Sequence, residues 1–483
     1  MAEKIDFQKW KYWCDILTVN SNALLPCVKW DDVKNALSGL KFCTKEQQYR
    51  SHITEEIINQ CRSLIVKSSS LDFVQCCEIQ ADAFRFLRNC CAGSKKLQDH
   101  VMFYVFSILM EMLEKILAQN KDSDVVLVKQ VLISGIQLLG NLVVDHEENQ
   151  EIVWMRCSFS FFLKIMKCPS NDAKNCICMV IYNCMRKNPR TELCTTDEGL
   201  SLINEIIKMC WTNESNIEWG IFIIESSIQN GSFQQIYVGV RNNDLKLFLL
   251  ELIEYKLKAN QTYDHCISWI SLDNALYIAK TFEENISKIL NAEMNFDEES
   301  SSEVILVNAL LRLLCILTSF PEEYDTLRQR KCLLETTLFA LRETSTEANR
   351  KFFSDLSKFS NPSDRVSNST HPAFGFKRGL IQLTANTCFH NRTNQDCVRH
   401  MGCIPLLLDH CNVDDYNPYI CQWAIFCLRN LLEDNHKNQD IIKSLTKLGM
   451  ASNSRLTEAG FVVEETKDGK LKITGKQNQD PAL

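Results

Sequence analysis

The chain of 483 residues has a hydrophobic content of 45% and a charged content of 23%, which is typical of a folded, soluble protein. Its 15 glycines and 9 prolines are few for this length, which disfavours β-rich and glycine-loop folds and favours long helices. A net charge of -7 offers no basic surface to a phosphate backbone, so nucleic acid is excluded as a principal partner and we expect protein partners.

The N-terminal segment has neither an uninterrupted apolar stretch nor a small-residue cleavage site, so it does not have the pattern of a secretory signal. The longest apolar run, residues 101–110, ends at Glu111 and is too short to span a bilayer, which predicts a buried core helix and no membrane insertion. We therefore expect a cytoplasmic protein whose 24 cysteines are mostly buried thiols and not disulfides.

An internal repeat is the most informative pattern in the chain. An asparagine is followed nine residues later by a glutamine, then by an acidic residue, and two residues further by Val or Ile. The pairs are Asn89 and Gln98, Asn141 and Gln150, Asn386 and Gln395, and Asn430 and Gln439. The interval from position 386 to position 430 is 44 residues, within the period of about 40 to 47 residues of armadillo and HEAT repeats. The pattern predicts an all-α, armadillo-like α-solenoid, although residues 190–350 carry no clear register marker.

The best-defined repeat predicts three helices. A short helix ends at Gly402, a second has Pro405 near its first turn, and a long third helix follows residues 414–418. The third helix has an apolar stripe at helical spacing, which consists of Ile420, Trp423, Ala424, Cys427, Leu428 and Leu431. Asn430 is predicted to lie at the edge of this stripe.

Residues 388–411 are rich in potential zinc ligands. They include Cys388, Cys397, Cys403, Cys411, His390, His400 and His410. The next repeat has Leu432, Ile441 and Ser444 where this one has cysteine or histidine, so the repeat forms without these ligands. The spacing also lacks the close cysteine pair of a zinc knuckle. We therefore predict thiols in helix interfaces, no metal and no cofactor; a zinc- or thiol-dependent regulatory protein is the alternative.

The sequence motifs of common enzyme classes are missing. The chain contains no G-x-x-x-x-G-K-[ST], no G-x-S-x-G and no H-E-x-x-H. No catalytic residues are therefore proposed, and the protein is predicted not to be an enzyme.

Residues 376–450 resemble the C-terminal domain of the ataxin-10 family. The similarity rests on GCIPLLLDHCNVDDYNPY (402–419) followed by RNLLEDN (429–435), and it weakens upstream to FRFLRNCC (84–91) and GNLVVDHEENQ (140–150). The resemblance implies an armadillo-like cytoplasmic protein without enzymatic activity that forms homo-oligomers through its C-terminal domain. It further implies roles in neurite growth, neuronal survival and cytokinesis, and a location that extends to the perinuclear region, the centrosome and the ciliary base.

The repeated asparagines suggest a partner-binding groove. In importin-type armadillo proteins a tryptophan precedes each such asparagine by one helical turn, whereas this chain has Arg85, Gln137, Met179, Gln382 and Phe426 at those positions. A nuclear-import receptor is therefore disfavoured. The candidate groove residues are Asn89, Asn141, Asn386, Phe426 and Asn430. The alternative is that the asparagines cap helix C-termini of a neighbouring repeat.

Composition divides the chain into four segments. They are helical repeats over 1–357, a Ser-, Asn- and Pro-rich loop over 358–375, C-terminal repeats over 376–450, and a helix with a β-hairpin over 451–483. Residues 294–303 are also predicted to form an exposed loop. A two-residue turn at Asp468-Gly469 would place Val462, Leu471 and Ile473 on one face. The candidate self-association residues are Ile441, Ile442, Leu445, Val462, Leu471 and Ile473.

Overall fold

A computed structural model describes most of the chain. The described residues are 7–118, 126–212, 218–260, 269–291, 298–354, 371–412, 414–445, 461–465 and 471–475. They form helices apart from two short strands, so the predicted helical architecture is confirmed.

The N-terminal half contains helices α1 to α13 and one short 3-10 turn, Leu25–Cys27. The helices are α1 (Phe7–Asn22), α2 (Trp30–Cys43), α3 (Gln47–Arg50), α4 (Glu55–Ser68), α5 (Phe73–Cys91), α6 (Lys95–Ala118), α7 (Val126–Val143), α8 (Glu147–Arg156), α9 (Phe159–Met166), α10 (Asn171–Met185), α11 (Glu192–Thr195), α12 (Asp197–Thr212) and α13 (Glu218–Gln229).

The C-terminal half continues with helices α14 to α25 and two strands. The helices are α14 (Phe233–Gly239), α15 (Asn243–Asn260), α16 (Leu272–Leu290), α17 (Glu298–Leu317), α18 (Asp325–Arg328), α19 (Lys331–Glu343), α20 (Glu347–Phe353), α21 (Phe376–Cys388), α22 (Arg392–His400), α23 (Cys403–Asp409), α24 (Ile420–Leu432) and α25 (His436–Ser444). The strands are β1 (Phe461–Glu465) and β2 (Leu471–Gly475).

The long helices stack on one another in chain order. Contacts join α2, α5, α7, α10 and α13 in succession, and a later series joins α15, α17, α21 and α24. The two series are linked by an ion pair of 2.7 Å between Glu225 Oε1 of α13 and Lys256 Nζ of α15. Other helices form a second row behind them, for example α1 on α4, α4 on α6 and α9 on α12. Because each helix packs mainly on helices of the adjacent repeats, the arrangement is compatible with a helical solenoid.

One position of the long helices shows what holds the stack together. Five residues before the asparagines at positions 89, 141, 183 and 386 stands an apolar side chain that is fully buried; these residues are Phe84, Ile136, Cys178 and Ile381. Complete burial of an aliphatic or aromatic side chain of this size stabilises a fold by about 1.5–3 kcal/mol. In these four repeats the position is therefore always buried, although its side chain differs in shape.

One helix among the described residues, α7, is long and apolar enough to cross a membrane by length and composition alone. It packs between α5 and α10, and Ile136, Leu138 and Leu139 are fully buried there. A core helix of a repeat array passes the same test of length and composition. The apolar run 101–110 lies in α6, where Val101, Val105 and Leu109 are fully buried, as predicted for a core helix.

The three helices predicted for residues 392–432 are present as α22, α23 and α24. Gly402 separates the first two with a left-handed φ of 64°, which a residue without Cβ adopts at little cost. The predicted stripe of α24 faces the core, although Trp423 is only half-buried. Asn430, predicted at the edge of this stripe, is 2% exposed and lies inside the packed interface.

The predicted loops and the terminal segment agree only in part with the structure. Residues 298–303, predicted as loop, form the first turns of α17. Residues 358–370 of the predicted loop and 455–460 of the predicted terminal helix lie outside the described residues.

Strands β1 and β2 pair antiparallel, with Glu465 opposite Leu471, so five residues connect them and the predicted two-residue turn is wrong. Ile473 pairs with Val463, and Val462 pairs with Thr474. Because directly opposed residues of an antiparallel pair belong to the same alternating set, Val462 is not in the set that contains Leu471 and Ile473. The prediction that these three residues share one face is therefore also wrong.

Candidate interaction surfaces

The repeated asparagines bond to the main chain of the preceding repeat. Asn141 Nδ2 donates to the carbonyl oxygen of Arg88 at 2.8 Å, and Asn430 Nδ2 donates to that of Ala385 at 3.0 Å. In both cases the acceptor is the residue immediately before the equivalent asparagine, Asn89 or Asn386. The same hydrogen bond therefore recurs from repeat to repeat, which explains the regular spacing of asparagine in the sequence.

Two further asparagines make a similar contact, one of them across a longer interval. Asn89 Nδ2 donates to Lys41 O at 2.9 Å, and Asn386 Nδ2 donates to Cys315 O at 2.9 Å and to Thr318 Oγ1 at 3.1 Å. The contact of Asn386 spans 71 residues, whereas that of Asn430 spans 45. The repeat between α17 and α21 is therefore longer than the others, which is one reason why the register could not be followed through residues 190–350.

The C-terminal end of α21 shows what the repeated Asn and Gln side chains contribute to the fold. The last four carbonyl groups of an α-helix have no partner within the helix. In α21 each of the four accepts a hydrogen bond from a side chain of another element, and three of the donors are Asn or Gln. The donors are Asn430 to Ala385 O, Arg328 to Asn386 O, Asn394 to Thr387 O and Gln395 to Cys388 O. The asparagine and glutamine of the motif thus cap helix C-termini, partly across repeat boundaries.

This capping uses the amide groups that a partner would otherwise bind. The side chains of Asn89 and Asn386 are 9% exposed, and Asn430 is still more buried. The geometry therefore supports the capping alternative for the asparagines. One helical turn earlier on α24, Phe426 is 38% exposed, so it remains available as a contact residue of the predicted groove.

The cysteines and histidines of residues 388–411 are dispersed over several environments. Cys388 and Cys403 are buried, His390 and His400 are exposed, and among the described residues no three His, Cys, Asp or Glu side chains form a group that could hold a metal ion. Burial raises the pKa of the Cys388 thiol far above its ordinary value. A buried thiol with a raised pKa is a poor nucleophile and a poor metal ligand, because both roles need the thiolate.

The last repeat in the described part of the stack differs from the interior repeats. The position five residues before the asparagine is fully buried in α5, α7, α10 and α21, but its counterpart in α24, Ile425, is 57% exposed. The next helix shows the same change, since Val398 of α22 is fully buried whereas the equivalent Ile442 of α25 is only half-buried. Leu445, just beyond α25, is 42% exposed. We call Ile425, Ile442 and Leu445 the end face.

Two contributors to these surfaces could not be identified from the sequence. Arg328 Nε donates to Asn386 O at 3.1 Å, and no repeated pattern marks this arginine. Asn417 is fully buried, donates to Phe353 O at 2.7 Å and accepts the main-chain N–H of Arg378 at 3.2 Å. For Asn417 the Asn-Pro pair at 417–418 indicated a turn, but not its long-range contacts. The side chains of Val462, Leu471 and Ile473 lie outside the described part of the structure.

Comparison with known proteins finds similarity to one family. Residues 376–474 match the family model described as the spinocerebellar ataxia type 10 protein domain. Ataxin-10 of Macaca fascicularis is 27% identical over 449 residues, which cover 89% of this chain and 92% of that protein. Ataxin-10 of Xenopus tropicalis is 29% identical over 418 residues, covering 84% and 82%. The chain is therefore similar to ataxin-10 proteins over most of its length, and its residues 376–474 match the domain of that family.

Similarity within the ataxin-10 family is uneven along the chain. The ataxin-10 homolog of Dictyostelium discoideum is 44% identical, but over only 99 residues, which cover 20% of this chain and 16% of that protein. The animal relatives match at lower identity over most of their length. This similarity to ataxin-10 supports a non-enzymatic, scaffold-type protein.

Proposed function

We propose that this protein is a non-catalytic protein–protein interaction scaffold of armadillo type that self-associates through its C-terminal module, residues 376–483. As the resemblance to ataxin-10 implies, we place its action in the cytoplasm, the perinuclear region and the centrosome or ciliary base. Its proposed roles are in neurite growth, neuronal survival and cytokinesis. The observation that supports self-association is the exposed isoleucine at the last stacking position, Ile425.

Self-association is favoured because apolar surface is exposed to water at a position where, in the other repeats, a neighbouring helix covers the side chain. At the equivalent position Ile381 is fully buried, whereas more than half of the surface of Ile425 faces water. Covering it recovers part of the roughly 1.5–3 kcal/mol that complete burial of such a side chain provides. Leu445 lies on the same terminal part of the array and adds exposed apolar area.

We propose that a second copy of this chain binds to the end face. The stacking position accepts an apolar neighbour from the same chain in the earlier repeats, so its shape suits the chain's own helices. Each copy carries the same uncovered face, and two such faces related by a two-fold axis would cover each other. Phe426, on the same helix, is then proposed as a contact for a different protein partner.

The proposal is tested by placing a charge on the end face of the full chain. Ile425→Arg should shift sedimentation-equilibrium or light-scattering mass toward that of a monomer, because a guanidinium cannot be buried without a partner. The helical circular dichroism signal should be unchanged, since Ile425 is already largely exposed. Phe339→Arg, at a half-exposed position of α19 outside the end face, is the matched control and should leave self-association intact.

Two results would contradict this proposal. Either Ile425→Arg associates with the same dissociation constant as the unmodified chain, or Phe339→Arg disrupts association to the same degree. The first result would move the interface away from α24. The second would show that any added positive charge disperses the oligomer.

A further inference from the structure

A polar cavity of about 310 Å³ lies beside the C-terminal module, away from the end face. Its walls come from the end of α19, from α20, from the start of α21 and from the turn after α23. The charged and polar residues that matter here are Ser345, Arg350, Ser354, Lys377, His410 and Asp414.

Lys377 is the unusual member of this set, because it is 5% exposed and yet carries no direct ion pair. Its Nζ donates to Ser354 Oγ at 2.9 Å, and among the described residues no carboxylate oxygen lies within the 4.0 Å that defines an ion pair. Asp414 is close enough to act electrostatically on Lys377. However, its carboxylate accepts hydrogen bonds from Tyr416 N and from Asn417 Nδ2, each at 3.0 Å. An ammonium group has three donors, so Lys377 can make two more hydrogen bonds.

The surrounding charges favour an anion in this space. Burial lowers the pKa of Lys377 to about 8; Asp414 raises this pKa and Arg350 lowers it, and the amine is still mostly protonated at neutral pH. Burial, together with the nearby ammonium, lowers the pKa of His410, which therefore stays neutral. Asp409 is exposed at the rim, where water screens its charge. Removing a charge from water without a partner is costly, and a bound anion would offset that cost.

We propose that this cavity binds a phosphate group, held by the Lys377 ammonium and the Arg350 guanidinium, with the Ser354 hydroxyl as a further donor. Two positive side chains match a dianion better than they match a carboxylate or chloride. The cavity also exceeds the size of one phosphate, so it leaves room for the organic part of a small phosphorylated molecule. This inference does not depend on self-association or on the scaffold role.

Inorganic phosphate is the probe, and the full chain at pH 7 is the sample. The melting temperature should rise saturably with phosphate, because a ligand that binds only the native state stabilises it by mass action. Sodium chloride and sodium acetate at equal ionic strength should not reproduce the saturable increase. Above pH 8 the effect should weaken as Lys377, which shares the cavity with Arg350, Asp409, Asp414 and neutral His410, loses its proton.

Variants separate this site from a general salt effect. Lys377→Met removes the buried charge and should weaken phosphate binding at least tenfold. Arg350→Gln changes an exposed side chain, so the variant should fold normally. Its affinity for phosphate should nevertheless be several-fold lower than that of the unmodified chain. Lys443→Met, on the exposed surface of α25, is the control and should behave like the unmodified chain.

Phosphate also stabilises proteins nonspecifically by exclusion from their surface. An equal, non-saturating increase in the unmodified chain and in all three variants would therefore overturn the proposal. A complete lack of stabilisation by phosphate in the unmodified chain would overturn it as well.

Discussion

The hydrogen bond between Asn430 and α21 gives the sharpest test of the capping role. Asn430 Nδ2 is the side-chain donor to Ala385 O, at 3.0 Å and in a buried interface. Asn430→Ala removes the donor and leaves a buried carbonyl group without it. The same substitution would have little effect on stability if the asparagine served mainly to hold a partner.

The expected cost follows from the burial of the acceptor. Loss of a typical hydrogen bond costs about 1 kcal/mol, and leaving a buried polar group unsatisfied raises the cost to between about 1 and 3 kcal/mol. We expect about 2 kcal/mol for Asn430→Ala. Asn430→Asp should cost at least as much, because an ionised carboxylate cannot donate and would lie against the carbonyl oxygen.

Hydrogen exchange is the appropriate assay, because long repeat arrays do not unfold in a single two-state step. A loss of about 2 kcal/mol in local opening free energy corresponds to a decrease of roughly 30-fold in amide protection. The decrease should be found in peptides that cover the end of α21 and α24. Asn412→Ala is the control, because its bond to Asp409 O is solvent-exposed and should change protection by about twofold or less.

The reasoning would be refuted if both Asn430→Ala and Asn430→Asp kept the protection of α21 within twofold of the unmodified chain. The acceptor carbonyl would then be satisfied by water or by local main-chain N–H groups. In that case the recurrence of asparagine at 44-residue spacing would need another explanation, and partner binding would be the leading one.

Further predictions concern metal content, thiols and pH. After purification under reducing conditions and dialysis, metal analysis should find far less than one zinc per chain; a full equivalent that Cys397→Ser releases would restore the zinc alternative. Maleimide should label exposed Cys27 and Cys332 in the native state well before buried Cys388, with denatured protein as the reference for full reactivity. Because burial lowers the pKa of His410 below its ordinary 6.5, the unfolded chain binds more protons as pH falls. Stability should therefore be fully present above pH 6.5 and decline below it, and His410→Gln should reduce that decline in urea titrations.

The sequence predicted the local structure of the C-terminal repeat well. Gly402 separates two short helices, Pro405 lies in the first turn of the second, and the apolar stripe of α24 has helical spacing. Local sequence signals were therefore sufficient to predict these helices. The role of Asn430 could not be predicted in the same way. Its spacing shows that it recurs, but only the packing of α24 on α21 shows that its amide meets a carbonyl group and not solvent.

The errors at the C-terminus have a different origin. The Asp-Gly pair at 468–469 favoured a two-residue turn, whereas the paired strands are five residues apart. Because side chains alternate along a strand, a change of one residue in register moves a residue to the other alternating set. Val462 was assigned to the wrong set for this reason, while the existence of two β-prone runs was evident from composition.

The hydrogen bonds of the repeated asparagines also constrain how two copies can associate. In the interior, the carbonyl before Asn89 and the carbonyl before Asn386 each receive the amide of the following repeat, as Ala385 O does from Asn430. At the end of the stack the equivalent carbonyl is Arg429 O, and the main-chain N–H of Glu433 donates to it at 3.0 Å. The carbonyl group of Arg429 therefore has a hydrogen-bond donor within its own repeat, whereas among the described residues the side chain of Ile425 has no apolar neighbour that buries it.

A head-to-tail copy would place a donor against Arg429 O, which already accepts one main-chain hydrogen bond. An isologous pair of end faces needs only apolar contact, which two copies supply equally. Self-association should then stop at closed assemblies and should not form filaments. Because burial of apolar surface is not screened by salt, the dissociation constant should change little between low and physiological ionic strength.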